Sequence, residues 1–245
     1  MIETLVLPAA FFLIAMLYSS VGHAGASGYL AAMALAGILP EVMKPAALCM
    51  NILVATITVI RFYRVGAFSW AKLWPFALGS IPAAYFGGAM ALPTQAYRPV
   101  VGLVLLWAAA RLFMIGMKES NKPLRSPPLS TALCVGIAIG LLSGLTGTGG
   151  GIFLSPVLIL MHWAGTRETA GISAAFILCN SISGLTGNLV SVGHLPSLIL
   201  LWMAVAGIGG LAGAGLGSKR LDPMLLRRLL AVVLIIAGFK LIFFP

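Results

Sequence analysis

The sequence predicts an all-α polytopic membrane protein of two inverted repeats, each a glycine-broken helical hairpin followed by three transmembrane helices. Three observations carry that expectation. The chain is 60% hydrophobic and only 8% charged, a balance too poor in charge to cover a soluble domain of 245 residues. Two long uncharged runs, Ala9 to Leu39 and Leu129 to Trp163, each carry a glycine cluster near the middle. A similar series of spans follows each run, and the basic residues sort to one side of a membrane only if each run folds back as a hairpin.

The hairpins come first. Either run as one straight helix would be roughly 45–55 Å long at 1.5 Å per residue, against a hydrocarbon core of about 30 Å. Gly22-His23-Ala24-Gly25-Ala26-Ser27-Gly28 interrupts the first run, and Gly144-Leu145-Thr146-Gly147-Thr148-Gly149-Gly150-Gly151 the second. Glycine costs about 1 kcal/mol in a helix interior, so such clusters break the helix. Each run is read as two short helices that enter and leave on the same side.

Three spans follow each hairpin: Pro45–Tyr63, Phe68–Leu92 and Tyr97–Met117, then Ala170–Val192, Pro196–Gly217 and Pro223–Phe243. Smaller marks repeat too. Gly22, Gly25 and Gly28 share the spacing of Gly144, Gly147 and Gly150; Asn51 matches Asn180, and Gly66 matches Gly193. Leu92-Pro93 before Arg98 resembles Leu221-Asp222-Pro223 before Arg227 and Arg228. The polar stretch Lys118 to Pro128 divides a first repeat, residues 1–117, from a second, residues 129–245. Gly207, Gly210, Gly213 and Gly217 have the small-residue spacing of close helix packing.

Charge fixes the parity. Counting each run as one span spreads the basic residues about evenly, which orients nothing. With hairpins, one side collects Arg61, Arg64, Lys72, Arg111, Lys118, Lys122, Arg125, Arg167, Lys219, Arg220, Arg227 and Arg228, and the other keeps Lys44, Arg98 and Lys240. That bias places the central linker in the cytoplasm and both termini outside, in a multi-pass plasma (inner) membrane protein. It also accounts for the net charge of +10 without nucleic acid as a partner. Cys49, Cys134 and Cys179 lack metal or redox spacing and read as buried small apolar residues.

Inverted repeats with discontinuous helices are a recurrent build of secondary transporters. A broken helix leaves unpaired backbone N–H groups and about half a positive charge at its new N-terminus. The second arms start near Tyr29 and Ile152, and inversion would point both at the midplane. With the hydroxyls of Ser27, Thr146 and Thr148 they form a candidate anion cradle. Gly25, Gly28, Gly149 and Gly150 admit close backbone approach there, and Asn51, Asn180 and Ser183 supply a polar stripe on the following spans. Thr58 lies seven residues past Asn51 on that stripe. His23 is a candidate for proton coupling. No lysine or arginine is assigned to the midplane, and no cofactor or metal is expected. The substrate class is a small anion, with membrane lipid as solvent and the oligomeric state open between monomer and homodimer.

At these residues the chain resembles the TauE/SafE family of sulfite exporters. The resemblance rests on Ser143 to Gly151, then Ser155-Pro156, with a weaker copy at Gly22 to Gly28 and an amide-bearing span after each. It implies a permease for sulfite, sulfoacetate or other organosulfonates. The first copy departs from the pattern at Gly25-Ala26-Ser27-Gly28-Tyr29, where this chain's substrate preference would be tuned. Rival readings are weaker. Gly25-Ala26-Ser27-Gly28 fits a serine-hydrolase string, but its serine lacks a well-placed histidine base, since His162 and His194 lie near the membrane surfaces. A cation carrier calls for a buried carboxylate, and all five acidic residues fall outside the spans or near their ends. A membrane scaffold gives no reason to duplicate costly breaks.

Overall fold

A computed structural model describes residues 5–90, 92–114, 124–188, 195–216 and 223–243. The described chain is helical and contains ten α-helices. The first hairpin is α1 (Leu7–Ser20) and α2 (Ala26–Ala36), followed by α3 (Pro40–Arg64), α4 (Trp70–Ala89) and α5 (Thr94–Met114). The second is α6 (Leu129–Thr146) and α7 (Gly151–Leu160), followed by α8 (Thr166–Gly187), α9 (Ile199–Leu216) and α10 (Pro223–Phe243). Both glycine clusters break the helix where the sequence places the break. Linker residues 118–123, together with Val192, Gly193, His194, Gly217, Lys219, Arg220, Leu221 and Asp222, lie outside the described residues.

Element boundaries moved for local reasons. α3 starts at Pro40, earlier than expected, because proline suits the first helical position and Glu41 complements the positive end of the helix. The second hairpin closes on itself: Arg125 N–H, before α6, donates to His162 O, after α7, at 2.8 Å. The chain therefore enters and leaves this hairpin at the same place. α3, α6 and α8 are each long and apolar enough to cross a membrane.

Close packing along two seams sets the helix directions. A Cβ on Gly136, Gly140 or Gly144 of α6 would run into Phe76 O, Ser80 O and Ala84 O of α4 respectively. The equal four-residue steps make α4 and α6 parallel. Gly209 and Gly213 of α9 meet Phe12 O and Met16 O of α1 in the same way. Of the glycines singled out on α9, Gly213 lies in this seam, while Gly207 and Gly210 face Leu53 and Val54 of α3. α3 and α8 cross antiparallel, Asn51 bonding Ser181 and Leu48 lying by Gly184. α5 and α10 are also antiparallel, with Gly102 beside Ile242 and Gly238 beside Leu106.

Two apolar cores result. One joins α4, α6, α7 and α8 through Leu73, Phe76, Ile139, Leu158, Trp163 and Phe176. The other gathers α1, α2, α3, α5, α9 and α10 around Phe11, Tyr29, Met33, Met50, Leu105 and Trp202, and takes in Ile152 of α7 and Ile177 of α8. Outside them, Leu78, Phe86, Leu103, Leu200, Ile208 and Leu211 are exposed. An exterior of this kind suits hydrocarbon rather than water. The cysteines follow the same logic: Cys134 is exposed on α6 rather than buried, and Cys49 and Cys179 are half-buried.

Candidate substrate site

α7 begins against the crossing of α3 and α8. Gly150 precedes its first turn, and no side chain caps that end. Its leading N–H groups point away from the helix with no intrahelical acceptor. Gly149 approaches so closely that a Cβ there would stand 2.7 Å from Asn51 Nδ2 and 3.1 Å from Ser181 Oγ. Its φ of +75° is one that residues with a Cβ rarely adopt. Asn51 Nδ2 donates to Ser181 Oγ at 3.3 Å.

Around this terminus, polar atoms are buried without partners. Asn51 Oδ1, both amide atoms of Asn180, and Ser143 Oγ make no hydrogen bond, and all three residues are fully buried. Asn180 adjoins Ser181 on α8, and Ser143 faces Gly150, whose Cβ would stand 3.3 Å from the serine Cβ. Each such atom costs about 1–3 kcal/mol when left unsatisfied. Ser80 Oγ and Asn188 Nδ2 are likewise unpartnered elsewhere, but Asn51 Oδ1 and Ser143 Oγ, beside an uncapped helix N-terminus, make this a candidate site for a small polar ligand.

The remaining candidates serve other contacts. Thr146 Oγ1 donates to Leu142 O at 2.7 Å and lies 3.0 Å from Thr148 Oγ1. Tyr97 OH donates to Thr146 O at 3.0 Å, which ties α5 to the end of α6. Ser183 Oγ donates to Ile81 O on α4. In the first hairpin, Ser27 Oγ lies 2.8 Å from Tyr18 OH, Gly28 packs on Ile14, and Gly25 sits against the Tyr29 ring. Thr58 Oγ1 bonds Val54 O of its own helix at 2.7 Å. The structure thus brings Asn51, Gly149 and Gly150 together at the α7 terminus, with Asn180 next to Ser181 on α8, and engages Gly25, Ser27 and Gly28 within the α1–α2 contact.

His23 reaches across from the first break. Its Nε2 lies 3.0 Å from Ser155 Oγ on α7, which lies 2.7 Å from Ser173 Oγ on α8. Nδ1 lies 3.2 Å from Val21 O. A carbonyl only accepts, so Nδ1 carries the hydrogen in that contact. Nε2 of the neutral ring then accepts from Ser155, and protonation reverses that bond.

Ser143 and Ser155 enter the sequence reading only as motif residues, without a site role. Ser181 and Ser173 escape it and look like ordinary span hydroxyls, although Ser173 precedes Asn180 by the same seven residues that separate Lys44 from Asn51. The charge count puts Lys44 at the outer surface, yet it is 7% exposed and packs beneath the second break. Among the described residues, no group of three His, Cys, Asp or Glu side chains could hold a metal ion.

A lipid-suited helical exterior around buried polar groups fits a membrane transporter, and the chain's family and relatives identify the class as membrane transporter rather than enzyme. A family model, Sulfite exporter TauE/SafE, matches residues 7–241, and the chain belongs to that family. It is 41% identical over 243 residues, 98% of both chains, to the probable membrane transporter protein y4hK of Sinorhizobium fredii. It is 26% identical to the probable membrane transporter protein MJ0441 of Methanocaldococcus jannaschii, over 74% of this chain and 72% of that one. It is also 26% identical to the probable membrane transporter protein YjnA of Bacillus subtilis, over 84% and 87%. No solved structure matches.

Proposed function

We propose that the chain exports small sulfur-containing anions, such as sulfite, sulfoacetate or other organosulfonates, across the plasma (inner) membrane. The observation that carries this reading is the uncapped N-terminus of α7 against Asn51, with the unpartnered Asn180 amide next to Ser181 on α8. Backbone N–H groups, two carboxamides and hydroxyls are donors suited to the tetrahedral or pyramidal oxygens of such anions. The family's name supports the cargo. A membrane potential negative inside favours anion exit by about 2.3 kcal/mol per charge per 100 mV.

The reading includes two inverted repeats, residues 1–117 and 129–245, with a cytoplasmic linker at 118–128 and both termini outside. Helix pairing supports it. Exchanging α1–α5 for α6–α10 turns the α4–α6 seam into the α9–α1 seam, and maps the antiparallel pairs α3–α8 and α5–α10 onto themselves. Proton coupling is assigned to His23 through Ser155 and Ser173.

Flux in proteoliposomes, with sulfite, sulfate, sulfoacetate and taurine in competition, tests the function. Absence of flux with every sulfur oxyanion sinks it. Asn180→Ala and Asn51→Ala test the site, each expected to weaken affinity about tenfold, the effect of losing hydrogen bonds to a charged group. Unchanged affinity in both removes these residues from the site. His23→Gln tests the coupling, which is abandoned if the flux keeps its dependence on pH between about 5 and 8.

A further inference from the structure

Lys44 is the polar residue of α3 that the anion site leaves unused. It precedes Asn51 by seven residues, so the two share one helix face about 10 Å apart. Its ammonium donates to Gly88 O at 2.9 Å and to Gly87 O and Met90 O at 3.4 Å. All three carbonyls belong to the C-terminal end of α4, which stops at Ala89. The last carbonyls of a helix lack intrahelical donors and carry about half a negative charge. Gly147, the residue that ends α6, backs onto the lysine stem, and a Cβ there would stand 3.3 Å from Lys44 Cγ.

No carboxylate pairs with Lys44 among the described residues, where the ion pair present joins Lys72 to Glu168. A lysine that merely capped α4 could lead its head group out to the surface along its own stem. Here the residue is 7% exposed and its stem lies against the second break. Secondary carriers hold monovalent cations on carbonyl oxygens at the C-terminal ends of discontinuous helices, and the end of α4 presents oxygens of the same kind. We propose that Lys44 is a built-in cation, its ammonium filling such a carbonyl site, so that the anion is carried without co-bound sodium or potassium.

The inference rests on the anion-carrier reading and supplies its charge balance. A unit charge about 10 Å from a monoanion, at an effective dielectric of about 20, strengthens binding by roughly fifteenfold. Smaller and larger anions would feel it in proportion to their charge.

The test compares the full-length wild type with Lys44→Ala and Lys44→Met. Sulfite flux of the wild type is expected to be equal in sodium, potassium and choline media. Lys44→Ala is expected to lose about tenfold or more in choline and to recover with sodium or methylammonium. Lys44→Met, whose stem still fills the space, is expected to lose flux without recovery. Melting in detergent reads the site without transport: sodium or methylammonium raises the midpoint of Lys44→Ala by about 2–4 °C and leaves the wild type unmoved. If Lys44→Ala folds poorly, recovery of its monodisperse yield by methylammonium during purification reads the same site. Sodium-dependent flux in the wild type, full flux of Lys44→Ala in choline, or a Lys44→Ala that responds to no cation each overturns the inference. A wild type that moves no sulfur anion overturns the anion reading alone, because the melting comparison still decides the cation site.

Discussion

Gly149→Ala and Gly37→Ala separate backbone strain from site geometry. Both glycines are left-handed, with φ of +75° and +79°. An added Cβ therefore costs each about 1–2 kcal/mol of conformational strain. Their surroundings differ. A Cβ at Gly37 meets nothing within 4 Å, whereas at Gly149 it lies 2.7 Å from Asn51 Nδ2 and 2.8 Å from Ile177 Cγ2. Relieving that overlap adds about 1–3 kcal/mol and turns the Asn51 amide. The expected loss of stability is thus about twofold larger for Gly149→Ala, measured as the melting midpoint in detergent. Transport diverges further: Gly37→Ala keeps its flux per folded molecule, while Gly149→Ala loses at least about tenfold, the equivalent of 1.4 kcal/mol. Equal flux in the two variants would refute the claim that α7, α3 and α8 meet at the site of action.

Asn180→Leu is expected to raise the melting midpoint, because it removes two unpartnered buried atoms worth about 1–3 kcal/mol each, while abolishing saturable sulfite binding. A lower midpoint with retained binding would contradict it. In the α4–α6 seam, Gly140→Val should cost about 3 kcal/mol or more and lower the folded yield, since the new side chain meets the Ser80 backbone. Gly184→Ala, whose nearest neighbour would be 3.5 Å away, is expected to melt like the wild type. Lys72→Met breaks a partly exposed ion pair of 2.7 Å and should shift stability by no more than about 1 kcal/mol, read by the same melting assay.

The breaks were legible because a glycine cluster opposes a helix whatever packs around it. Span positions were legible because lipid demands long apolar segments, and α10 begins and ends at the expected Pro223 and Phe243. Contacts between distant segments were not. Nothing local says that Ser27 bonds Tyr18, or that His23 crosses to Ser155 on α7, since those pairings depend on how the hairpins pack. Asn51 and Asn180 stood out because a carboxamide in an apolar span is costly. Their neighbours Ser143 and Ser181 did not, because serine in a span commonly bonds its own backbone. Lys44 misled for a related reason. Counting charge by sequence position treats a lysine near a helix start as surface, and only the carbonyls of α4 reveal why it is inside.

The two glycine seams have a consequence for how the molecule can yield. Each clamps a helix from residues 1–117 to one from residues 129–245: α4 to α6, and α1 to α9. In both, glycines bring backbone against backbone, and Ser19 Oγ pins the second by donating to Gly210 O at 3.0 Å. A swing that parted the chain at its midpoint would tear both seams at once. Between the seams α3 and α8 cross, with Asn51 and Ser181 sharing one hydrogen bond of 3.3 Å and Ile177 of α8 packed into the core that holds α3. Any unit held together by a seam is therefore a mosaic of both halves of the sequence.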